Sequence, residues 1–85
     1  MRVLLLDHKQ YSKDNILKLE NNFTEVYKKN FSNINNLKKF LKHKKNNKKP
    51  ISIIFTSFGF FFDENLIKYM DSKKILAKLL TRKFL

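Results

Sequence analysis

Seven acidic residues, two histidines and nineteen basic residues are the side chains of this 85-residue sequence that could do chemistry. Acid–base or metal work would need several of them together. His8 and His43 have no partner at metal-ligand spacing, so both read as structural or phosphate-facing, and no zinc site is expected. Asp7 directly follows an apolar run, where α/β enzymes often place an acidic ligand. A metal-dependent nuclease would need it to converge with Asp63 or Glu64. No second acidic cluster or Ser/His pairing accompanies Asp7, and Gly59 is the only glycine, too few for a GxGxxG or Walker loop. Asp7 therefore reads as a turn or cap residue. Cysteine is absent, which excludes disulfides, thiolate metal sites and a cysteine nucleophile. No catalytic residue, metal ligand, cofactor or small-molecule substrate is assigned, and the chain is read as a non-enzyme.

What remains is the chemistry of lysine. The formal charge is +12, and it is unevenly spread. Residues 1–27 balance, whereas residues 28–62 hold nine lysines and no acid. A short acid-bearing stretch around Asp63, Glu64 and Asp71 follows, and then a second basic block. The first block comprises Lys28 and Lys29, then Lys38, Lys39 and Lys42, then Lys44, Lys45, Lys48 and Lys49, with His43 among them. The second comprises Lys73, Lys74, Lys78, Arg82 and Lys83. A run of lysines is often only a solvated face. Here, however, like charges without counter-charges repel, and a polyanion would relieve that repulsion. Neutralising phosphates is the commonest use of such a block, so these fifteen residues are the candidate RNA contacts. Lysine contacts position a protein on a backbone without reading bases. Tyr11, Phe31 or Phe40 could stack on an unpaired base, although aromatics at helical spacing are more often core.

Five elements are expected to carry these residues. "RVLLL" reads as a buried strand. Ser12 or Asp14 caps a helix running to about Lys29, with Ile16, Leu19, Phe23, Val26 and Tyr27 at three- and four-residue steps. Ser32 or Asn33 caps a second helix with Ile34, Leu37, Phe40 and Leu41 inward and Lys38, Lys39, Lys42 and Lys45 outward. Asn46, Asn47 and Pro50 end it. "ISIIFTSF" reads as a strand covered on both faces, with Gly59 marking a bulge or bend. Asp63 caps a last helical region to about Met70, and the chain from Lys73 to Leu85 reads as a basic amphipathic helix with Ile75, Leu76, Leu79, Leu80 and Phe84 on one stripe. That helix could lie on an anionic surface or a protein groove, but its simpler role is to seal the sheet. The order β-α-α-β-α implies a small α/β or α+β fold, a short sheet covered by helices, in a single domain over residues 1–85.

At this size only about 60 to 65% of the unfolded surface can be buried, so neighbours would help complete the core. The longest apolar run, Ile51 to Phe62, falls well short of the roughly 20 residues that span a bilayer. "MRVLLLDHK" is neither a secretory apolar region nor an Arg- and Ser-rich presequence, so an organellar location would require synthesis inside the organelle. Composition agrees with that. Lys, Asn, Phe, Ile and Tyr make up more than half of the chain, while Gly, Ala and Pro occur once each and Arg twice. The first set has A/T-rich codons and the second G/C-rich ones.

Small size, abundant lysine, no cysteine, a compact α/β core and an A+T-biased codon signature together resemble an organelle-encoded ribosomal protein. Locally, "LLLDHK" followed by a helix is similar to the first strand and helix of the tenth small-subunit ribosomal protein, whose fold is ferredoxin-like. The resemblance implies a structural role in a mitochondrial ribosome, with a plastid or a bacterial cytoplasm as the alternative location. The partners it implies are ribosomal RNA and neighbouring ribosomal proteins. A small phage or bacterial nucleic-acid-binding regulator and a peripheral subunit of an organellar membrane complex are the other readings of the same charge pattern.

Overall fold

The computed structural model describes residues 1–56 and 63–79. Strand β1 spans Arg2–Leu5 and is followed by a 3-10 turn, His8–Gln10. Helix α1 spans Lys13–Asn22, β2 Glu25–Lys28, α2 Ile34–Asn46 and β3 Ile51–Thr56. Helix α3 spans Glu64–Ser72 and β4 Leu76–Leu79. The four strands form one parallel sheet in the order β2-β1-β3-β4. The fold is α/β, one of the two classes expected from the sequence, with a short sheet covered by helices.

Parallel neighbours cannot be joined by a hairpin, so each connection must cross over, and each carries a helix. From β1 the chain steps outward to β2, then back past β1 to β3 and on to β4. Crossovers that keep one hand while the direction reverses must put their helices on opposite faces. Two apolar clusters reflect this. On one face Leu4, Leu6 and Ile54 pack with Leu37 and Leu41 of α2 and Leu66 and Met70 of α3. On the other, Val3, Leu5, Ile53 and Phe55 pack with Leu19 of α1 and with Tyr11. The central strands β1 and β3 are largely apolar on both faces because both are covered, as their near-continuous apolar runs implied.

Two elements differ from the sequence reading. The first helix was expected to reach Lys29, but α1 stops at Asn22, and Glu25–Lys28 is an edge strand paired to β1. Val26 and Tyr27 fit a helical period and a two-residue alternation equally well. Long-range pairing decides between them. Met1 O accepts from Thr24 N at 2.9 Å, and Arg2 lies opposite Glu25 with its Nε donating to Glu25 Oε1 at 3.1 Å. The second correction concerns the basic C-terminal helix expected from Lys73 to Leu85. Residues Leu76–Leu79 form β4, hydrogen-bonded beside β3 with Ile53 opposite Leu76. Ile75, Leu76 and Leu79 therefore do not form a helical stripe. Ile75 is buried against the α2/α3 face, while Leu76 stays exposed. Gly59, the final "SF" of "ISIIFTSF", Leu80 and Phe84 lie outside the described residues.

The helix boundaries follow local chemistry. Ser12, Asn33 and Asp63 each accept a hydrogen bond from the backbone N–H three residues on, at 3.2, 2.9 and 2.7 Å. At the other ends, α2 and α3 close with a lysine in the left-handed region, Lys48 at φ 60° and Lys74 at φ 58°. The pattern after α2 is Lys49 N to Lys44 O at 2.8 Å and Lys48 N to Lys45 O at 3.1 Å. After α3 it is Ile75 N to Met70 O at 2.9 Å and Lys74 N to Asp71 O at 3.1 Å. Both are Schellman closures, in which glycine is the usual left-handed residue. Burial of Ile75 beside Met70 supplies the apolar contact that fastens the second one.

Candidate nucleic-acid interface

Helix α2 is the element on which the lysine block is built, and its 3.6-residue turn divides that block. Leu37 and Leu41 point into the core. Lys38, Lys42 and Lys45 share one flank of this stripe, toward α3, while Phe40 and Lys44 share the other, toward β2. Lys39 and His43 are exposed on the outer side. A single basic run in sequence thus becomes two basic margins around a buried face.

On the α3 side the two basic blocks of the sequence meet. Tyr69 is half-buried against the core, with Lys38 Nζ 5.7 Å and Lys73 Nζ 5.9 Å from its ring centroid. A hollow of about 250 Å³ opens among Lys42, Lys45, Asn46, Tyr69 and Lys73. Among the described residues, no acidic side chain lines it. Lysines three and four residues apart on α2 are brought against one that lies 28 positions further along the chain than Lys45. Packing of α3 beside α2 on the same sheet face is what brings them there.

On the β2 side, Tyr27, Phe31 and Phe40 form an aromatic group with centroids 5.4 and 5.9 Å apart. Lys44 Nζ stands 4.2 Å from the Tyr27 ring, and Lys29 Nζ 5.1 Å from that of Phe40. Phe31 and Phe40 pack on the α2/α3 core, and Tyr11 is buried on the opposite face. Tyr11 is thus a core aromatic, whereas Phe31 and Phe40, like Tyr69, are partly buried against the core. The sequence signals Tyr69 only through the lysines near it, Lys68, Lys73 and Lys74.

The remaining candidates are dispersed. Lys28 ends β2 and pairs with Glu20 at 3.6 Å. Lys48, Lys49 and Lys74 are exposed at the helix closures, and Lys78 is exposed on edge strand β4. Arg82 and Lys83 lie outside the described residues. Glu25 is bonded by the Tyr27 hydroxyl at 2.9 Å and by Arg2, and these two donors hold its carboxylate below the usual range. Desolvation, and then the bond to Glu25, push the Tyr27 hydroxyl upward. This triad pins the register of β2 against β1.

The acidic residues do not assemble. Asp63 caps α3, and Glu64 pairs with Lys68 at 3.1 Å. Asp7 sits at the carboxyl end of β1 with φ 56°, its N–H donating to Asn30 Oδ1 at 2.6 Å. Next to it, His8 Nδ1 is buried with no hydrogen-bond partner among the described residues. The chain leaves β1 and β3 toward opposite faces here, so this is the topological switch point of the sheet. No group of three His, Cys, Asp or Glu that could hold a metal occurs among the described residues. Nor is any described helix long and apolar enough to cross a membrane.

Comparison of the chain with protein-family models, with curated proteins and with solved structures finds no match. A helix separates every pair of successive strands, whereas ferredoxin-like domains follow the order β-α-β-β-α-β. This order is not the ferredoxin-like one that the resemblance of "LLLDHK" implied.

Proposed function

We propose that this chain is a structural RNA-binding component of a ribosome, seated on the phosphate backbone of ribosomal RNA and on neighbouring ribosomal proteins. The observation that carries the RNA-binding part is the convergence of Lys38, Lys42, Lys45 and Lys73 around Tyr69 without an acidic neighbour lining the hollow. Four cations held on one rigid margin repel one another, and a polyanion removes that cost. The ribosomal part rests on composition: a lysine-rich, A+T-biased, cysteine-free small domain, suited to a mitochondrial, plastid or bacterial ribosome. The domain is small enough for neighbouring proteins to cover apolar surface such as Leu17, Ile67 and Leu76, which are exposed.

Sedimentation of native lysate through a sucrose gradient tests this reading. Co-migration with a ribosomal subunit that collapses after ribonuclease is the expected result. Slow sedimentation indifferent to ribonuclease would remove the ribosome from the account. Binding of the purified protein to a short duplex or single strand would then identify a free nucleic-acid-binding regulator. The peripheral-membrane reading leaned on a basic helix from Lys73 to Leu85, and β4 occupies residues 76–79 of it.

A second reading is favoured by one feature, the buried Nδ1 of His8 beside Asp7 at the switch point, where open parallel sheets hold small ligands. A survey of nucleotides and sugar phosphates by thermal shift addresses it. A stabilisation that survives Lys45→Gln but is lost in His8→Ala would move the function to that end of the sheet.

A further inference from the structure

Beside the lysine-lined hollow lies a second one of about 140 Å³, and the two share Lys45, Tyr69 and Lys73. Its remaining walls are Leu41, Pro50, Ile51 and Ile75, so it is apolar where its neighbour is basic. It sits at the amino ends of β3 and β4, remote from the switch point. Its size is close to that of a cavity of about 150 Å³ that accepts a benzene ring, and below the 300 Å³ or so at which drug-sized sites begin. One planar ring is about what it holds. The floor is preformed, because Ile51 begins a central strand and Ile75 is locked into the closure of α3.

A purely backbone-binding protein has no use for an apolar hollow continuous with its phosphate contacts. Deepening the RNA-binding reading, on which this inference rests, we propose that the paired hollows hold one unpaired nucleotide of single-stranded RNA. The base lies against Tyr69 over the apolar floor, and the adjoining phosphates lie among Lys42, Lys45 and Lys73. Bases stacked inside an A-form duplex cannot be offered this way, so the ligand is a loop, bulge or end. Tyr69 supplies a π-face for a single-ring base, and Lys38 and Lys73, whose ammonium groups stand over its ring, bring the charge that holds the phosphates.

The test compares a fluorescein-labelled oligouridylate hexamer with an abasic hexamer of equal length and charge, by anisotropy on the full chain. Stacking of one base is worth enough for the intact strand to bind about tenfold more tightly. Tyr69→Ala should abolish that difference, and Tyr69→Phe, which keeps the ring, should restore it. In the unsubstituted protein the methyl resonances of Ile51 and Ile75 should shift with the intact hexamer and stay in place with the abasic one. This second readout does not depend on a variant that folds.

Equal affinity for the two hexamers with unmoved methyls would overturn the nucleotide hollow and leave phosphate binding standing. Failure of both hexamers and of a duplex to bind would overturn the RNA-binding reading itself. Uridine monophosphate alone should move the same methyls only at millimolar concentration. A micromolar response would overturn the assignment to a polymer.

Discussion

If the lysines converging on Tyr69 are phosphate contacts, their number sets the salt dependence of binding. Lys38, Lys42, Lys45 and Lys73 make four contacts. For a single strand each contact contributes about −0.7 to the slope of log affinity against log salt, so the slope is about −2.8. Between 50 and 200 mM salt that is a loss of about 50-fold. Replacing Lys45 with Gln removes one contact, reducing the slope to about −2.1 and the loss to about 20-fold. Lys68→Gln removes the same unit of charge from an exposed side chain paired with Glu64 at 3.1 Å, and should leave the slope unchanged. Anisotropy titrations of the hexamer at four salt concentrations measure all three slopes. If Lys45→Gln and Lys68→Gln lower the slope equally, binding senses net charge, and the reasoning from the cleft is refuted.

Three further outcomes concern the fold. Ile54 is fully buried at the centre of the sheet, so Ile54→Ala should cost about 2 to 5 kcal/mol and lower the melting temperature by roughly 10 °C or more; a cost below about 1 kcal/mol would contradict the packing described. Glu25 has its carboxyl lowered from the ordinary 4.5 by Tyr27 and Arg2, so its contribution is complete above that value and lost as pH falls through the lower folded one. Glu25→Gln should therefore flatten this part of the acid limb in denaturant melts followed by circular dichroism, and an unchanged limb would contradict the triad. Lys74 closes α3 in the left-handed region, where a residue with a Cβ is disfavoured, and Lys74→Gly should stabilise by about 0.5 to 1 kcal/mol; a loss of stability would count against that closure.

The sequence by itself determined the central strands, α2 and, to within two residues, the caps. Near-continuous apolar runs such as Val3 to Leu6 and Ile51 to Phe55, broken only at Ser52, have no soluble place except beneath two covering layers, and Ser12, Asn33 and Asp63 start their helices by bonds within four residues. It also determined the charge, and hence the class of partner proposed. Only the tertiary structure decided the edge strands, because β2 and β4 have four residues each and take their hydrogen bonds from partners more than twenty positions away. Local preference over four residues is too weak to outweigh such pairing, which is why Val26, Tyr27 and Leu76 read as helix. The same long-range packing made the candidate site. Lys45, Tyr69 and Lys73 share two hollows only because α2 and α3 lie side by side on one sheet face, and no local spacing in the chain encodes that neighbourhood.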